Sequence, residues 1–95
     1  MSRALVERRL SEVSARLKSL RDELRVADEQ LEALAGDADE TRLRALVSET
    51  PVADREHREA QRHADAMARH RASVATEIVQ LEVRQDELLD ELLAQ

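Results

Sequence analysis

Three histidines, His57, His63 and His70, crowd the stretch "REHREAQRHADAMARH". Imidazole nitrogens ligate metals and carry protons near neutral pH, so this is the first place to look for chemistry. A zinc centre needs three or four convergent ligands. A carboxylate-bridged di-iron bundle uses Glu-x-x-His, a spacing of three, repeated on two helices with further inward glutamates. Here Glu59 precedes His63 by four, His70 follows it by seven, and nothing repeats the pattern. The spacing places His63 and His70 on one helical face, two turns apart, against acids of a facing helix. No metal ligand follows from it. The chain has no cysteine and one glycine, which excludes thiol catalysis, disulfides and a glycine-rich phosphate loop. Serine, histidine and aspartate have no reason to converge. The expectation is a non-enzymatic protein with no catalytic residue, cofactor or metal.

A second grouping is acidic. Glu49, Asp54 and Glu56 surround the only proline in "LVSETPVADREH". Acids at the end of a helical hairpin resemble the tip of the Gre-type transcript-cleavage factors, which hold magnesium and reach into RNA polymerase. The resemblance covers shape and charge, because "SETPVADRE" does not reproduce their tip motif. It implies an alternative function, an acidic-tipped probe that regulates an enzyme such as RNA polymerase. Two other small helical families fit less well. The paired helical hairpins of type VII secretion carry Trp-x-Gly and a tyrosine signal, and this chain has neither Trp nor Tyr. The all-helical chorismate mutases gather basic side chains around a dianion, whereas Arg3, Arg8, Arg9 and Arg16 are strung along one arm.

The elements that carry these residues are written in the composition. Ninety-five residues allow one domain. Aromatic residues are absent, charged residues are 38%, and there is one Gly and one Pro. A thick core normally draws much of its buried area from aromatic rings, so long helices rich in Ala, Glu, Leu and Arg are expected instead. Residues 3–34 place Val6, Leu10, Val13, Leu17, Leu20, Leu24, Ala27, Leu31 and Leu34 at alternating steps of four and three. That is a heptad seam held without a miss. From residue 53 a second seam runs through Ala53, His57, Ala60, Ala64, Met67, Arg71, Val74, Ile78, Leu81, Gln85, Leu88 and Leu92.

Between the seams lie two stop signals. Gly36 suits a left-handed helix terminus, and Asp37 with Glu40 makes a capping-box pattern. A break over residues 35–38 is therefore expected, with Leu43, Leu46 and Val47 on a reset register. Thr50 suits an N-cap, and Pro51 suits the first helical position. The reading is an all-α antiparallel coiled-coil hairpin. One arm spans 3–49 with its break at Gly36, the other spans 51–94, and the turn lies at Thr50-Pro51.

Charge supports the antiparallel orientation. Residues 1–25 carry seven bases and four acids and would face residues 76–95, with one base and six acids. The six acids of residues 27–40 would face Arg62, Arg69 and Arg71. Flanking charges select orientation in coiled coils. This pairing sets Leu34 against Met67, Leu20 against Leu81 and Val13 against Leu88. The polar seam residues fall opposite Gln30 for Arg71 and opposite Arg16 and Leu17 for Gln85, and a polar seam residue penalises slipped registers.

Two surfaces remain for partners. Off the second seam, Ala68, Ala72, Ala75, Val79, Leu89 and Leu93 form another apolar run, broken by Glu82 and Asp86, with Val83 close to it, suited to self-association as a homodimeric four-helix bundle. Around the turn, Leu46, Val47 and Val52 are poorly covered, beside Glu49, Asp54 and Glu56. The function expected is a coiled-coil interaction or scaffold module that binds or regulates a protein partner through helical surfaces. The net charge of −6 disfavours nucleic acid, which needs a basic surface. The start, "MSRALVERRL", has no apolar run of signal-peptide length, so cytoplasmic residence without membrane contact is expected.

Overall fold

A computed structural model describes residues 1–94. Helix α1 spans Arg3–Ser48 and helix α2 spans Pro51–Leu93. They form an antiparallel helical hairpin. Among the described residues no helix is long and apolar enough to cross a membrane.

Both helices start where the sequence supplies a cap. The Ser2 hydroxyl accepts a hydrogen bond from the Leu5 backbone N–H at 3.2 Å. Thr50 Oγ1 accepts one from the Ala53 N–H at 3.1 Å, and the Thr50 carbonyl accepts from Asp54 N–H. Each cap satisfies a backbone donor that the first helical turn leaves without a partner. Pro51 follows Thr50 as the first residue of α2, where its missing N–H costs nothing.

The break expected at Gly36 is not there. Helix α1 runs unbroken through residues 35–38, and Gly36 does not take positive φ. Asp37 and Glu40 lie mid-helix instead of capping a new one. The Asp37 carbonyl instead accepts the Thr41 hydroxyl at 2.8 Å. The seam explains the continuity. Beyond Leu34 it keeps its phase through Ala38, which is buried, then Thr41 and Ala45, which are half-buried. Leu43, Leu46 and Val47 lie off it and are exposed. A glycine inside a helix costs about 1 kcal/mol relative to alanine, too little to outweigh a seam continuing in register on both sides. The left-handed residue is Glu49, with φ 52°, directly after α1. Chain reversal takes just two residues, Glu49 and Thr50.

The hairpin divides into two compact units. One comprises residues 1–24 and 73–94. Its core is aliphatic: Leu17, Leu20, Val74 and Ile78 are buried together, with Val13, Leu24 and Leu81 packed against them. Val6 and Leu88 are also fully buried in this unit. The other unit comprises residues 25–72 and contains the turn. Its buried apolar residues are Ala27, Ala38, Ala53 and Ala64. Small side chains on facing seams let two backbones approach closely but remove little apolar area from water.

Ion pairs follow the expected charge pattern in both units. In the first, Arg16 reaches both carboxylate oxygens of Glu77, the shorter at 3.0 Å, and Arg21 lies 3.6 Å from Glu82. In the second the polarity is reversed, with Arg71 of α2 donating to Asp28 of α1. All three are exposed at both partners, so each contributes roughly 0–1 kcal/mol, and their effect is on orientation more than on stability. The polar seam residues meet partners slightly displaced from those expected. Arg71 meets Asp28, not Gln30, and Gln85 donates to Ser14, not to a group at Arg16 or Leu17. Both displacements are two residues toward the N-terminus, as expected of a reversal centred on Glu49 and Thr50.

Candidate interaction surfaces

The histidines do not form a centre. Among the described residues no group of three or more His, Asp or Glu side chains is placed to hold a metal ion. His57 occupies the α2 seam and is half-buried; its Nδ1 is buried without a hydrogen-bond partner. His63 is exposed and lines an open groove with Leu34, Asp37, Glu40, Thr41 and Glu59. This groove lies within the unit of residues 25–72. It exists because Ala60 and Thr41 are too small to fill the space between flanking charged side chains. Its walls carry both signs of charge, with Arg44 beside the acids. The sequence signal for it was available, since Ala60 stands on the seam where other heptads place leucine.

The acids around the turn have different environments. Glu49 is exposed at the apex, held there by its left-handed backbone. Asp54 is exposed in the first turn of α2, where an acid is favoured by the helix dipole. Glu56 lies 3.6 Å from Arg44, which also bonds Glu40 at 3.1 Å.

Apolar exposure is where the surface departs from an ordinary one. Near the turn, Leu43, Leu46, Val47 and Val52 are all more than half exposed, Val47 reaching 86%. Leu46 and Val47 close the last turns of α1, and Val52 opens α2, so one end of the unit of residues 25–72 presents all three. Leu43 belongs with them, one helical turn before Leu46 and Val47, although the reset register expected after Gly36 would have made it a seam residue.

The second exposed group lies along α2. Ala68 and Ala72 are exposed in the unit of residues 25–72. In the other unit Ala75 is half-buried, while Val79 (59% exposed), Leu89 and Leu93 are open to solvent. Val83, expected close to this run, is 54% exposed and lies one turn after Val79. The sequence matches no protein-family model, no curated protein and no solved structure.

Proposed function

We propose that this protein is a non-catalytic interaction module that engages a protein partner through the turn end of its hairpin. One observation carries the reading: four of the large exposed apolar side chains, Leu43, Leu46, Val47 and Val52, stand within ten residues around the turn. Contiguous apolar surface on a hairpin with so thin a core is costly unless something covers it. The occupant is a protein with an apolar cleft that admits the end of two helices, with Leu46, Val47 and Val52 as the inserted groups. Paired ions at the margin, Arg44 with Glu56, form a polar rim. The net charge of −6 favours a protein partner over nucleic acid, which needs a basic surface.

The alternative, an acidic probe of an enzyme such as RNA polymerase, draws support from Glu49 at the apex. Engagement of Glu56 by Arg44 weakens it. Affinity capture from the host with wild type and with Leu46→Asp/Val47→Asp separates the two. Loss of the captured partner in that variant, with full helicity by circular dichroism, supports apolar docking. Capture that survives it, but loses its effect on the partner's activity in Glu49→Ala/Asp54→Ala/Glu56→Ala, supports the probe instead.

A further inference from the structure

Two rows of side chains run from the turn along one side of the unit of residues 25–72. On α1, Asp37, Glu40, Arg44 and Val47 follow steps of three, four and three, which keeps them on one face of the helix. On α2, Val52, Glu56, Glu59 and His63 follow steps of four, three and four. The rows flank the same gap. Arg44 lies 3.6 Å from Glu56, and Asp37, Glu40 and Arg44 line the open groove together with Glu59 and His63. Val47 and Val52, 86% and 57% exposed, are therefore the apolar end of the groove's own face. We propose that this face seats one helix of the protein partner, which covers Val47 and Val52 with apolar side chains and lays a lysine or arginine in the groove two turns further on. The proposal rests on the docking reading above and names the partner's chemistry at that site.

The groove selects a cation on an aliphatic stem. Its volume is about 340 Å³, more than twice the ~150 Å³ of a cavity that holds benzene, so one long side chain fits. Its lining carries Asp37, Glu40 and Glu59 against Arg44, an excess of negative charge. The Arg44 guanidinium is already engaged, by Glu40 at 3.1 Å and by Glu56, while Arg62 lies 3.9 Å from Glu59, at the limit of an ion pair. Leu34 and Ala60, both half-buried, add apolar surface to the lining. Lysine and arginine lay a methylene stem on such surface and keep the charged head among carboxylates. Spacing follows from the rows. Glu40 lies seven residues before Val47, and Glu59 lies seven after Val52. Seven residues are two helical turns, about 10.5 Å of rise. A partner helix lying along the gap covers the same distance, so its basic residue stands seven positions from its apolar anchor. An amphipathic helix docks in this way, by its apolar face in a groove, with charge complementarity fixing its register.

A phage-displayed library of helical peptides, each about five turns long and randomised on one face, tests this on the full chain. Peptides selected on the wild type should carry a lysine or arginine seven positions from an apolar pair. Such a peptide should bind Asp37→Lys/Glu59→Lys at least about tenfold more weakly by fluorescence anisotropy, and exchanging its basic residue for glutamate should recover the affinity. Both replaced carboxylates are exposed, so the variant should keep its helicity by circular dichroism. Selected peptides without a basic residue at that spacing, or an unchanged affinity for the charge-reversed variant, would overturn the proposal. If those peptides still lose binding to Val47→Asp/Val52→Asp, the apolar docking reading stands without it. Peptides indifferent to Val47→Asp/Val52→Asp would end both. A library that yields no binder would overturn the proposal too, and the capture experiment above then decides the docking reading by itself.

Discussion

Two residues hold backbone conformations that suit each other's side chain better than their own. Gly36 is helical and exposed, and a Cβ added there meets nothing within 4 Å. Glu49 is left-handed, a conformation that costs an L-residue with a Cβ roughly 1–2 kcal/mol. Gly36→Ala should therefore raise the unfolding free energy by about 0.5–1 kcal/mol, through helix propensity and a less flexible unfolded chain. Glu49→Gly should gain a similar amount by relieving the turn, less the entropy that glycine adds to the unfolded state. Urea titrations of the two single variants and the double one check both values. The sites are distant and share no partner, so the gains should add. A loss of stability in Gly36→Ala would mean that α1 does break there.

At the scale of the helix, the seams of the two units differ in the size of what they bury, so opposite changes of side-chain size should each destabilise. Leu20 is essentially fully buried in the aliphatic cluster. Leu20→Ala should cost about 3 kcal/mol, from lost transfer energy and the cavity left behind. Ala38 is buried where the seam is lined by Ala and Thr. Ala38→Leu adds apolar volume at a buried position yet should destabilise by about 1–3 kcal/mol, because overpacking forces neighbouring side chains off their rotamers. Thermal melts of the two variants decide this, and a stabilised Ala38→Leu would refute the close packing. The same difference in size governed what could be read beforehand. Leucines at alternating fours and threes gave the first arm to Leu34, and the cap at Thr50 gave the start of the second helix. The seam past Gly36 was hidden because Ala38, Thr41 and Ala45 resemble surface residues, while the larger Leu43, Leu46 and Val47 attracted the assignment. Those three are exposed because the helix kept its phase. The exposure of Leu46 and Val47 near the turn was legible from the absence of anything beyond the reversal to cover them, and so was the small Ala60 behind the groove, whereas the unpartnered Nδ1 of His57 was not.

For the whole molecule, an aliphatic core in one unit and an alanine seam in the other imply unequal local stability. Burying a leucine or isoleucine side chain contributes about 1.5–3 kcal/mol, and an alanine methyl about 0.8 kcal/mol. The unit of residues 1–24 and 73–94 buries Val6, Leu17, Leu20, Val74, Ile78 and Leu88, whereas the unit of residues 25–72 buries alanines. The second unit nevertheless contains the turn, whose short loop costs little closure entropy. Burial differs by several large side chains and closure by far less, so the unit around the turn should open first. Native-state hydrogen exchange tests this directly, since amides report the free energy of the smallest opening that exposes them. Amides of residues 10–24 and 74–88 should exchange only through global unfolding and follow the full denaturant dependence. Those of residues 28–45 and 55–70 should exchange at least tenfold faster, through a subglobal opening with a smaller slope, a difference of about 1.4 kcal/mol. Adding Ala38→Leu should accelerate the second group and leave the first unchanged. Uniform exchange across both groups would show that the alanine seam is held as firmly as the leucine one, and that close backbone packing compensates for the smaller apolar area.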